Sequence, residues 1–210
     1  VTTLDLAFDP IAHHYFLNKE RLPSVSEIKE PLTDFSMVSP DVMARASAFG
    51  TAVHQMVELY LSNELDYASL DENLYGSLEA FERWLDEVKP FQSGPALIDV
   101  KSRKYDRVAD PVQLAAYNQL VQENDIREVT IERPLASIKH RYAGTPDIII
   151  PAKDGSLITN LRILYLGQDG RYAYTPAYDP NAWPVFGRLL ADYHRRQITN
   201  QMIHSWRNRI

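Results

Sequence analysis

Asp99 and Lys101 stand two residues apart in the segment ALIDVK at 96–101. A β-strand alternates its side chains between faces. This spacing therefore sends the carboxylate and the amine to one side, and Ile98 and Val100 to the other. Such a pair suits metal-assisted hydrolysis: Asp99 would bind a divalent cation, and Lys101 would orient the attacking water or offset charge building on a phosphate. The same spacing also fits an edge strand with a paired solvent face. Asp147 opens the apolar run Ile148–Ile150, three residues after Gly144. A glycine there permits close backbone approach, and Asp147 would be a second oxygen donor for the same ion. Magnesium and manganese favour carboxylates, carbonyls and water. Gly-Thr-Pro-Asp is equally good turn chemistry.

His54 and Glu58 are four apart and share a helix face. They form a metal ligand or water-holder with an assisting acid, or a surface pair with no chemistry. Gln113 and Tyr117 repeat the spacing on a second helix, where amide and hydroxyl can hold a phosphate or support a metal shell. A buried tyrosine with one hydrogen bond explains them as well. Lys101, Arg103, Lys104 and Arg107 form a basic run beside the acid, and Lys139, His140 and Arg141 a second one before Gly144. The first is either a solvated loop or a phosphate-backbone contact strip, and the second could likewise track a backbone without reading bases.

The elements that must position these groups follow from period and punctuation. Asp9 and Pro10 predict a short helix over 9–21, and 24–29 a short turn. Ser39–Pro40 starts a helix over 40–49 that stops at Phe49–Gly50. Val53, Met56, Val57, Tyr60 and Leu61 recur at helical spacing, predicting a helix from Thr51 to about Leu65. The stripe Leu74, Leu78, Phe81, Leu85, Val88 predicts another over 71–88, ended by Pro90. The first 90 residues are thus expected to be mainly helical. Strands follow at 96–101, within 126–135 and within 142–151, with a helix over 111–123 between the first two. Segments 161–167 and 171–176 flank Gln168–Gly170 as a hairpin, and a helix over 180–200 closes the chain. The expected fold is α+β (mixed α/β) in one domain spanning 1–210, with its sheet core at 91–178 and no internal repeat.

Composition narrows the chemistry further. The 210 residues include no cysteine, which removes disulfides, zinc–thiolate sites, iron–sulfur clusters and cysteine nucleophiles. No apolar run reaches the roughly 18 residues of a membrane span, and the first 16 residues lack the pattern of a signal peptide. The net charge of −6 argues against a protein coated in nucleic acid. It leaves room for a local basic path beside an acidic metal site.

Taken together, GTAVH at 50–54, IDVK at 98–101, QLAAY at 113–117 and GTPD at 144–147 resemble the PD-(D/E)xK nuclease superfamily. The likeness is greatest to its RecB-like and Cas4-like branch, which includes phage exonucleases, and it covers roughly residues 24–176. The resemblance implies a restriction-endonuclease-like mixed sheet flanked by helices. It implies a magnesium or manganese ion held by His54, Asp99, Asp147 and the Val100 carbonyl, with Lys101 assisting hydrolysis and Gln113 and Tyr117 behind the site. The implied activity is DNA phosphodiester hydrolysis, as an exonuclease in recombination, repair or phage DNA processing. Single-stranded DNA or DNA ends would be the substrate, in the cytoplasm of a bacterial or phage-infected cell. A protein partner or homo-oligomer is compatible with this. The alternatives are an inactive nuclease-fold DNA-binding or assembly protein, and an unrelated α+β phosphoesterase. One departure stands out: in the family the GxxD strand precedes DxK and QxxxY, whereas here it follows them. The segment 125–129 would run naturally into 159–167, and 130–158 toward the DVK strand. The nuclease reading therefore requires GTPD to fold back beside DVK.

Overall fold

The computed structural model describes residues 5–10, 12–103 and 106–207, with backbone alone over 203–207. Its centre is a five-stranded sheet made by β4 (Ala96–Lys101), β5 (Thr130–Ile131), β8 (Ile148–Ile150), β9 (Leu161–Leu166) and β10 (Tyr172–Pro176). The order is β10-β9-β4-β8-β5. β4 is the middle strand, parallel to β9 and antiparallel to β8. A middle strand covered on both faces needs apolar residues at successive positions, and ALIDVK supplies them. Leu97, Ile149 and Ile163 pack under α4 (Ala109–Glu123) and α5 (Ala182–Arg207). Ile98, Val100, Ile148 and Leu164 pack on the other face, against α2 (Pro40–Leu61) and α3 (Tyr75–Val88). There Phe81 and Trp84 are fully buried, and each such side chain is worth about 1.5–3 kcal/mol of transfer free energy. The fold is therefore mixed α/β, a central sheet flanked by helices. Among the described residues no helix is long and apolar enough to cross a membrane.

The unusual motif order resolves in this topology. After α4 the chain does not go directly to β9. It makes an excursion through β5, β6 (Leu135–Ser137), β7 (Tyr142–Gly144) and β8. This brings the segment after GTPD back antiparallel to β4. β9 then takes the parallel position on the other side of β4.

Three expected elements differ. The helix over 9–21 is instead an antiparallel meander of β1 (Leu6–Asp9), β2 (His14–Leu17) and β3 (Glu20–Leu22). Tyr15 and Leu17 are buried while His14 and Phe16 are only partly so, the period of two of a half-buried strand. His13, Asn18 and Lys19 adopt positive φ to turn the corners. The first 90 residues therefore begin with a sheet. Gly50 ends nothing, because α2 runs unbroken from Pro40 to Leu61. An internal glycine costs about 1 kcal/mol, which the buried stripe Val53, Met56, Val57 outweighs. At its far end α2 stops at Leu61, short of Leu65, with Asn63 at positive φ. The segment 24–29 contains a true helical turn, α1 (Val25–Lys29), fixed by a reciprocal capping box between Ser24 and Glu27.

Candidate metal centre

Strand register builds the site. β4 and β8 pair Ile98 with Ile148, so the next step of that ladder sets Asp99 opposite Asp147. β5 and β8 pair Ile131 with Ile148, so the next step sets Glu132 opposite Asp147. The Glu132 N–H donates to the Asp147 carbonyl at 2.9 Å. Opposite residues of a ladder share a face, and three adjacent strands thus end on three acids in a row. Asp147 is 4% exposed, and its Oδ2 accepts the Val100 N–H at 2.5 Å. The Val100 backbone thus reaches the site through its N–H bond to Asp147.

His54 comes in from α2. Its Nδ1 lies 3.1 Å from Glu132 Oε1 and 3.4 Å from Asp147 Oδ1. One donor atom from each of His54, Glu132 and Asp147 falls within 4.8 Å of the others. Two carboxylates and an imidazole form an oxygen-rich set that suits a hard or borderline divalent cation. The three groups are also coupled electrostatically. Burial, then the neighbouring Asp147, pushes the Glu132 carboxyl up to about 7, while His54 pulls the other way. Burial opposes charge on His54, but Asp147 and then Glu132 hold it well above the usual imidazole value. The imidazole keeps 29% of its side-chain surface in contact with solvent, which screens part of that attraction. For Asp147, burial is overcome by His54, Lys101 and the Val100 N–H, and the carboxyl lies below its ordinary range.

Asp99 belongs to a second, linked group. It is 1% exposed and its Oδ2 lies 2.7 Å from Lys101 Nζ. Its Oδ1 accepts from Gln113 Nε2 at 3.1 Å, and the same nitrogen reaches the Tyr117 hydroxyl at 3.0 Å. Gln113 Oε1 accepts from Lys101 Nζ at 3.4 Å and also from Lys29. Burial raises the Asp99 pKa despite Lys101. Lys101, buried too, is raised because Asp99 and then Asp147 stabilise its charge. Asp99 is thus tied to Lys101 and Gln113 and is not a member of the three-residue cluster. Gly144 makes room for this arrangement: a Cβ there would stand 2.7 Å from Tyr117 Cε1 and 3.0 Å from Val25 Cγ2.

The remaining expected residues fall in different places. Glu58 is exposed, one turn beyond His54, and reaches the cluster only as a charge that helps raise Glu132. Arg103 lines the cleft, a space of about 300 Å³ that also takes in His54, Lys101, Gln113, Tyr117, Glu132 and Asp147. Arg103 makes a two-pronged pair with the buried Asp110. Arg107 is exposed, and Lys104 lies outside the described residues. Lys139 and Arg141 line a separate, larger concavity against α5, where Arg141 pairs with Glu20. Glu132 and Lys29 were not singled out by sequence reasoning. The only advance signal for Glu132 was an acid in IERPL, on a strand able to pair with the GTPD strand.

The fold and the cluster together define a mixed α/β protein with a candidate divalent-metal centre, broadly nuclease-like in layout. No family model, curated protein or solved structure matches the chain.

Proposed function

We propose that the chain is a magnesium- or manganese-dependent deoxyribonuclease of the PD-(D/E)xK type, hydrolysing DNA phosphodiesters as an exonuclease in DNA repair, recombination or phage DNA processing. The observation that carries the reading is the convergence of Glu132, Asp147 and His54 on one point beside the Asp99–Lys101 pair. His54, Glu132 and Asp147 would hold the ion. When bound, it supplies Lewis-acid charge beside the scissile phosphate and makes water acidic enough to attack at neutral pH.

The chain's own residues have separable tasks. Lys101, held protonated by Asp99, is an electrostatic partner for a phosphate oxygen or for the attacking water, and not a free base. Gln113 fixes the Lys101 ammonium and the Asp99 carboxylate in one plane of hydrogen bonds. Its amide must point this way round, because only the NH2 end can donate to a carboxylate. Arg103, oriented by Asp110, is the rim residue best placed to touch the DNA backbone. Single-stranded DNA or a DNA end is the proposed substrate.

The test is cleavage of single-stranded, double-stranded and end-labelled DNA in manganese by the purified chain and by Lys101→Ala. Loss of cleavage with an unchanged circular-dichroism spectrum is expected. Equal cleavage by both proteins would sink the mechanism.

A further inference from the structure

Lys29 ends α1, whose Val25 and Ile28 are buried in the core under α4. The capping box at Ser24 and Glu27 and those two apolar contacts fix the helical turn, so the lysine is aimed and not free to swing. Its Nζ donates to Gln113 Oε1, and its side chain lines the same cleft as the His54, Glu132, Asp147 cluster. The Gln113 oxygen faces the lysines because its nitrogen is committed to Asp99 and Tyr117.

Three of the basic groups that line the cleft sit against carboxylates. Lys101 is paired with Asp99, Arg103 with Asp110, and His54 sits between Glu132 and Asp147. Among the described residues, Lys29 has no carboxylate within ion-pair distance. The acids that act on it from further off, Asp99 and Asp110, already hold other cations, and Lys101 and Arg103 repel it. An ammonium has three donors, and one of them is used. Burying a charge without a counter-ion is unfavourable, and this cost is visible: burial, then Lys101, lowers the Lys29 pKa to about 8. A lysine serving only to brace Gln113 has no need of a charge, since a neutral donor would do. An ammonium that lacks an internal counter-ion and lines a cleft is arranged for an external anion.

We propose that Lys29 is a phosphate-contacting residue of the cleft, holding an anionic phosphate oxygen in the same cleft as the His54, Glu132, Asp147 cluster. That the phosphate belongs to DNA rests on the nuclease reading, whereas anion binding by Lys29 does not.

Inorganic phosphate is the probe, titrated calorimetrically into the full chain in EDTA, with Lys29→Met and Lys29→Arg alongside. Manganese titrations of the same three proteins and thermal melts run in parallel. Wild type is expected to bind phosphate saturably, and phosphate should shield Lys29 from acetylation as read by mass spectrometry. A charge-assisted hydrogen bond is worth enough to predict about 10-fold weaker binding in Lys29→Met. Lys29→Arg should keep most of the affinity, and manganese affinity should be unchanged in both variants. Phosphate binding that is absent from wild type, or equal in folded Lys29→Met, overturns the proposal. If Lys29→Met does not fold, acetylation protection in wild type decides alone, and a lack of protection overturns it. Lys29-dependent phosphate binding in a protein that takes no manganese would uphold the anion site and refute the nuclease reading.

Discussion

Lys29 also gives the folded protein a pH dependence that can be worked out in advance. Folding moves its pKa from 10.5 down to about 8. Below pH 8 both states are protonated, and the folded state carries the whole cost of the buried charge. Between pH 8 and about 10.5 the unfolded chain holds a proton that the folded chain has shed, so this lysine makes stability rise with pH. Each step of one in pKa is worth about 1.4 kcal/mol, which sets an upper bound of ~3.5 kcal/mol on the cost at neutral pH. Lys29 is partly exposed, and its bond to Gln113 returns on the order of 1 kcal/mol. Lys29→Met is therefore expected to be more stable than wild type by ~1–2 kcal/mol at pH 7, with the advantage shrinking steadily from pH 8 to pH 10. The assay is urea unfolding of both proteins in EDTA at intervals of half a pH unit from 6.5 to 10. The comparison cancels tyrosines and other lysines that titrate in the same range. A difference between the two proteins that does not change with pH, or a wild type more stable at pH 7, refutes the reasoning.

Other substitutions probe the supports of the site. Gly144→Ala puts a methyl group 2.7 Å from the Tyr117 ring. Overpacking of this kind costs about 1–3 kcal/mol, and it should disturb the Gln113 contacts, so cleavage should fall more than the melting temperature alone explains. A variant with wild-type turnover would show that the Tyr117–Gln113 contact does not set the Lys101 position. Asp110→Asn leaves Arg103 without its buried partner and weakens the contacts to the Asp106 N–H and the Tyr165 hydroxyl. Breaking a buried pair costs about 3–5 kcal/mol, with the Arg103 end partly screened by solvent. Urea midpoints should therefore move by the lower part of that range, and an unchanged midpoint would deny the pair a structural role.

The sheet was legible because its middle strand declares itself twice, by the apolar run and by the acid–amine pair at spacing two. The α4 helix and the β9–β10 hairpin were equally plain, carried by period and by Gln168–Gly170. The meander at 6–22 was not, because its strands are three or four residues long, too short for alternation to outvote an Asp-Pro helix start. Asp99, Lys101, Gln113 and Tyr117 could be grouped by local spacing, and they do form one hydrogen-bonded chain. Glu132 could not, since what puts it beside Asp147 is a ladder between strands whose pairing partners are far apart in sequence. Lys29 was hidden for a related reason: its role depends on which carboxylates are already taken, and that is a property of the folded charge arrangement. The distant motif order looked like an obstacle only until strand pairing was known, because a site of converging side chains places little demand on the order of connections.

Glu132, Asp147 and His54 are proposed to form one divalent-cation site. Calorimetric titration of manganese into the metal-free wild type, Glu132→Gln and Asp147→Asn tests it most directly. Saturable binding to wild type is expected, weakened by about 10-fold or more in each folded variant. Binding absent from wild type, or of full strength in both variants, would contradict it.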